Sequence, residues 1–145
     1  MDGLRFSLLI VDDDEDDRMI IDEAFMEIGY AAEVKKFIDG EDLMQYLGKI
    51  ESSVYPSLIV LDNTLPKDDA ANILTRLKHD DRYNGIPVIV YSTSMSPQKQ
   101  DILMQMGAYS CIEKGALMGD VIKVAEKLRD LAEANIKEPN HKGHP

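Results

Sequence analysis

No tryptophan, a single cysteine and no long apolar run mark this 145-residue sequence. Each shortage excludes something. Cys111 alone cannot build an internal disulfide framework, and a lone thiol suits a reducing cytosol. No purely aliphatic stretch is longer than Leu8 to Val11, far below the ~20 residues that span a bilayer. The same brevity, with Asp2 at the start, speaks against a secretory leader. Basic residues are scarce: 16 Lys and Arg stand against 27 Asp and Glu, a formal charge of −11. So acidic a chain offers no basic patch for nucleic acid or for an anionic membrane. It also carries no glycine-rich nucleotide loop, which speaks against a flavin or dinucleotide role.

What is present describes a soluble cytoplasmic globular protein, 30% charged and 44% hydrophobic. The length suits one domain of roughly 100–150 residues. Such a domain buries about two-thirds of its unfolded surface without a metal or disulfide. Short apolar runs alternate with helix-spaced segments along the chain. The segments are Arg5 to Val11, the weaker and partly charged Ala32 to Phe37, Leu58 to Leu61, Val88 to Tyr91 and the brief Ser110 to Ile112, all expected as strands. Between them, Ile21, Ala24, Phe25 and Ile28 outline a helix that Gly29 ends. Leu43, Tyr46 and Leu47 outline a second, entered through Gly40, and Ile73, Leu74 and Leu77 a third. Pro97 opens a fourth, continued by Ile102, Leu103 and Met106 to Gly107. The last helix is expected from about Ala116 to Ala134, with Leu117, Val121, Val124, Leu128 and Leu131 as its core stripe. Residues 5–135 then form one domain, and 136–145 a flexible tail. Five strand–helix pairs in alternation imply an α/β fold, a parallel sheet with helices on both faces.

In such sheets, sites form beyond the carboxyl ends of the strands. Here those ends carry Asp12 and Asp13, then Asp62, then Ser92 and Thr93, then Lys114. Three carboxylates, a hydroxyl pair and an ammonium converge on one edge. At ~5 Å and an effective dielectric of ~20, two ionised carboxylates repel by about 3 kcal/mol. A hard divalent cation relieves that repulsion, and oxygen ligands suit Mg²⁺. One carboxylate is left to act as a nucleophile toward phosphorus.

These residues resemble the receiver domain of two-component response regulators, the CheY-like family. The resemblance rests on the Asp12–Asp13 pair after an aliphatic strand and on Asp62 in Leu61-Asp62-Asn63-Thr64-Leu65-Pro66. Ser92 after Pro87-Val88-Ile89-Val90-Tyr91, and Lys114 after Ile112-Glu113, complete it. It implies a doubly wound, flavodoxin-like (βα)5 sheet in the order 2-1-3-4-5. It also implies roles. Asp62 would accept a phosphoryl group from a phosphohistidine on a sensor histidine kinase. Asp13 would bind Mg²⁺ directly, Asp12 would assist through water, and the Thr64 backbone carbonyl would supply another oxygen. Ser92 and Lys114 would hold the phosphoryl group. The runs Asp12 to Asp17, Leu65-Pro66-Lys67 and Ile86 to Ser94 resemble the stand-alone receivers that serve phytochrome-type kinases.

Three positions depart from the family pattern: Gly115 where proline usually follows the lysine, Cys111 where Tyr or Phe is common, and Ala70 where glycine is common. With no attached output domain in the sequence, the signal is expected to leave through protein contact or onward phosphotransfer. The expected contact face is the fourth helix, fifth strand and fifth helix, with Met104, Met118 and Ile122 outward and a second copy as one partner. Simpler readings apply elsewhere. Asp14, Glu15, Asp16 and Asp17 fit a solvated helix start. Cys111 and the methionines fit core filling, and His141 and His144 a tail. Two alternatives remain: a pseudo-receiver that is never phosphorylated, and an aspartate-nucleophile phosphatase. The second lacks the usual second acid, since Asn63 and Thr64 follow Asp62.

Overall fold

All five apolar runs become strands of one sheet in a computed structural model, which describes residues 7–30, 33–63, 70–114 and 117–137. The strands are β1 Ser7–Val11, β2 Glu33–Phe37, β3 Leu58–Asp62, β4 Val88–Ser92 and β5 Ser110–Glu113. The helices are α1 Glu15–Glu27, α2 Gly40–Lys49, α3 Ala70–Lys78, α4 Pro97–Gln105 and α5 Met118–Lys137, with a 3-10 turn at Ser52–Val54. All pairings are parallel, in the order β2-β1-β3-β4-β5. This is the flavodoxin-like CheY fold expected from the sequence.

Side chains alternate across the sheet, so each central strand feeds two cores. Leu9, Val11, Ile59, Leu61, Val88 and Val90 meet α2, α3 and Leu103 of α4 on one face. Leu8, Ile10, Leu58, Val60, Ile89 and Tyr91 meet α1 and α5 on the other. Burial on both faces explains why β1, β3 and β4 read as unbroken aliphatic runs rather than alternating ones.

Local chemistry sets the helix ends. Asp14 caps α1 by accepting the Asp16 and Asp17 N–H groups at 2.9 and 3.2 Å. Gly29 takes φ +71° just beyond that helix, a left-handed conformation suited to glycine. The second helix is entered through Asp39, which accepts the Asp42 N–H at 2.9 Å, while Gly40 is already helical. Ser96 caps α4 ahead of Pro97, accepting the Lys99 N–H at 3.1 Å.

Two expectations need correction. The stripe on α5 is Val121, Ala125, Leu128 and Ala132, all buried, while Val124 and Leu131 are only half-buried. Leu117 precedes the helix and is 72% exposed; its N–H meets the Asp120 carboxylate at 3.4 Å. The alanines count because α5 lies against both α1 and the sheet, and Ala125 and Ala132 are fully buried in that contact. The second correction concerns Met118 and Ile122. They line a surface groove with Glu23, Met26 and Glu27, so that side of α5 borders α1. The helix itself runs to Lys137, and residues beyond it lie outside the described residues, as do the His141 and His144 positions. No described helix is long and apolar enough to cross a membrane.

The corrected stripe is testable. Ala125→Leu forces extra carbons into a filled contact and should cost about 1–3 kcal/mol in urea unfolding. Leu117→Ala, at an exposed position, should stay within about 0.5 kcal/mol of wild type.

Candidate functional site

The sheet alternation carries straight into the site. Asp12 follows Leu8 and Ile10 in steps of two, and Asp62 follows Leu58 and Val60. Tyr91 follows Ile89, and Lys114 follows Ile112. All four therefore fall on the α1–α5 side of the rim. Ladder bonds past the strand ends hold that rim: Asp12 N–H donates to Phe37 O at 2.9 Å, Asn63 N–H to Tyr91 O at 2.9 Å and Lys114 N–H to Ser92 O at 2.8 Å. The Arg18 guanidinium adds a 2.7 Å bond to the Asp12 backbone carbonyl.

Lys114 Nζ lies 2.7 Å from Asp17 Oδ2 and 3.2 Å from both Asp12 Oδ2 and Asp62 Oδ2. An ammonium has three donors, and three carboxylates from three elements take them. Asp12 and Asp62 are buried, Asp17 is half-buried and Asp13 is exposed. The Asp12 carboxylate also accepts the Tyr91 hydroxyl at 2.6 Å and the Asp14 N–H at 3.0 Å. Burial pushes the Asp12 carboxyl above its ordinary pKa, against the opposing pull of Tyr91, the Asp14 N–H and Lys114. Burial pulls the Lys114 ammonium down, but the Asp17 bond and the charges of Asp12 and Asp62 outweigh it, so its pKa rises. Burial, then the charge and hydrogen bond of Asp12, raise the Tyr91 phenol, which stays a neutral donor.

Asp12, Asp13 and Asp62 each place one carboxylate oxygen within 4.8 Å of the others. Counting Asp17, four carboxylates gather at this rim, and its one lysine ammonium meets three of them. An oxygen-only, strongly anionic donor set of this kind fits a hard divalent cation.

Of the residues expected at the site, Asp12, Asp13, Asp62 and Lys114 come together. Ser92 is buried, but its hydroxyl donates to the Ser94 carbonyl at 2.8 Å. Thr93 is exposed. Thr64 and Gly115 lie outside the described residues. Cys111 is half-buried against the α2–α3 core, where burial raises its thiol pKa.

Two participants were missed. The acidic run alone fits Asp17 to a solvated helix start, yet it makes the shortest contact to Lys114. Its signal was helical position: it stands one turn beyond Asp13, on the turn that covers the strand ends. In the apolar run Val88 to Tyr91, Tyr91 stands only as a strand residue. Its signal was a buried hydroxyl, which needs a partner, beside three strand ends that carry acids.

A family model described as the response regulator receiver domain matches residues 8–126. The chain belongs to that family. It is a response regulator of two-component signalling, and a histidine kinase is the partner that such a receiver implies.

Its relatives include the response regulator Rcp1 of Synechocystis, 27% identical over 122 residues, covering 82% of this chain and 83% of Rcp1. The probable methanogenesis regulatory protein FilR2 of Methanothrix harundinacea is 33% identical over 93 residues, 63% of this chain but only 60% of FilR2. Among solved structures, the phosphorylated cyanobacterial phytochrome response regulator RcpA superposes with a TM-score of 0.78 at 27% identity, over 88% of this chain and 94% of that one. The Mn²⁺-bound form of Rcp1 gives 0.74 at 23% identity, over 86% and 92%, a likeness of fold.

The raised pKa of Asp12 has a consequence for this receiver's stability. A folded-state pKa above the unfolded one means the folded protein binds the proton more tightly. Ionised Asp12 therefore costs stability at neutral pH, and the cost fades as pH falls through the folded pKa. In excess EDTA, Asp12→Asn should be more stable than wild type by about 0.5–2 kcal/mol at pH 7. Denaturant titration should show the gap narrowing on acidification.

Proposed function

We propose that Asp62 is the phosphoacceptor of this cytoplasmic receiver and that a sensor histidine kinase supplies the phosphoryl group. The observation that carries this reading is one carboxylate, Asp62, buried at the end of β3 against Lys114 and clustered with Asp12 and Asp13. An Asp62 oxygen forms the new bond to phosphorus. The P–N bond of the phosphohistidine breaks, and its electron pair stays on the imidazole nitrogen. Lys114 already sits 3.2 Å from Asp62 Oδ2, so its charge is in place before the phosphoryl oxygens arrive.

Mg²⁺ would be held by Asp13, Asp62 and the Thr64 carbonyl, with Asp12 assisting. When bound, it neutralises charge on the phosphoryl oxygens. Crystallisation of Rcp1 with Mn²⁺ and of RcpA in a phosphorylated form supports both parts of the reading. Ser92 acts later, its hydroxyl turning from the Ser94 carbonyl to the phosphoryl group.

Mass spectrometry after incubation with Mg²⁺ and acetyl phosphate tests the assignment. Wild type should gain one phosphoryl mass and Asp62→Ala none. Lys114→Ala should label more slowly. Ser92→Ala should label normally but lose the conformational response. An Asp62→Ala protein labelled as well as wild type would remove Asp62 from this role.

For output, the reading uses the α4–β5–α5 face for a target or a second copy of the chain. Ile102, Met104 and Tyr109 are 53%, 46% and 58% exposed there. Met104→Asp should weaken phosphorylation-dependent association in sedimentation while labelling at Asp62 is unchanged. Wild type that stays monomeric in both states would remove the self-association half.

A further inference from the structure

We propose that Tyr91 is a positioning residue for the divalent cation, acting through Asp12; the inference rests on the metal reading of the site given above. Strand β4 reads Val88-Ile89-Val90-Tyr91-Ser92, and Tyr91 brings the one polar tip to the α1–α5 face of that strand. Tyr91 is 4% exposed and sits in one buried cluster with Ile21 of α1 and Val121 of α5. The ring is therefore fixed by packing, and its hydroxyl meets Asp12 Oδ2 at 2.6 Å.

The acceptor count on Asp12 shows what that bond does. A carboxylate has about four acceptor directions, two on each oxygen. On Oδ2, the Tyr91 hydroxyl takes one and Lys114 Nζ, at 3.2 Å, takes the other. On Oδ1, the Asp14 N–H at 3.0 Å takes one. One direction remains, on Oδ1. The carboxylate thus cannot turn without breaking a buried hydrogen bond, and it keeps a single fixed acceptor for the water through which Asp12 assists the cation. Lys114 Nζ also lies 4.7 Å from the centre of the Tyr91 ring, so the same side chain borders the second partner of Oδ2. Without the hydroxyl, Oδ2 has an unfilled acceptor direction on a fully buried carboxylate. The carboxylate can then rotate, and the preformed arrangement with Asp13 and Asp62 is lost. The simpler reading is a core tyrosine whose hydroxyl merely needs a partner. The two differ in whether the cation notices.

Isothermal titration of Mg²⁺ into wild type, Tyr91→Phe, Asp12→Asn and the double variant separates them. Phenylalanine fills the same space, and urea unfolding of each variant checks the fold. Tyr91→Phe should bind Mg²⁺ about tenfold more weakly, as is usual for loss of a group that orients a metal ligand. The same substitution should cause little further loss in the Asp12→Asn background, because its effect passes through Asp12. Labelling of Tyr91→Phe by acetyl phosphate should recover toward the wild-type rate at saturating Mg²⁺. Equal Mg²⁺ affinity in wild type and Tyr91→Phe overturns this inference alone, and so does an undiminished loss in the Asp12→Asn background. A wild type that ignores Mg²⁺ overturns the metal reading and this inference with it.

Discussion

One ammonium makes the functional rim of this receiver possible. Asp12, Asp17 and Asp62 come from the β1 end, the first turn of α1 and the end of β3, and all three meet at Lys114 Nζ. Without that cation, two buried carboxylates and a half-buried one would face each other with no counter-charge, the costliest arrangement for ionised groups. With it, every donor of the ammonium is used, and β1, β3, β5 and α1 are tied at one corner. The balance is still negative. The same cluster that Lys114 holds together therefore keeps an attraction for a divalent cation, and the phosphoryl chemistry proposed for Asp62 builds on that residual charge.

The rim is rigid because the sheet beneath it is. Strands β1, β3 and β4 are buried on both faces, and their ladder bonds continue past the last strand residues through Asp12, Asn63 and Lys114. The functional groups thus stand on backbone that cannot shift without disturbing both cores. The acidic run after β1 is divided in its work. Asp14 caps α1, Asp17 grips Lys114, and Asp12 is enclosed by donors while Asp13 stays open to solvent. Neighbours in sequence have different chemistry because a strand exit and a helix start point successive side chains in different directions.

Much of this was legible in the chain. Aliphatic runs stopped by Asp12, Asp62 and Ser92 located the central strands and the edge where the chemistry gathers, and strict strand–helix alternation implied the parallel sheet. The readings that failed share a cause. Leu117 was placed on the α5 stripe because it is large and apolar, whereas Ala125 and Ala132 do the packing where α5 comes close to α1 and the sheet. Helical period puts Met118 and Ile122 outside the core stripe and assigns them to the α4–β5–α5 face, but they border α1, because period fixes relative angles and not which neighbour lies opposite.

The sequence by itself determined the strands, the two-sided burial of the sheet and the identity of the acids and the lysine at its carboxyl edge, because period, burial and residue chemistry are local properties of the chain. Only the tertiary structure decided which groups touch. Tyr91 and Asp12 are 79 positions apart, and Lys114 and Asp17 are 97 apart. Contacts over such distances depend on strand order and on the turn of α1 over the rim. No local pattern encodes either one, so the contacts of this hydroxyl and this carboxylate at the rim emerged only when the chain was folded.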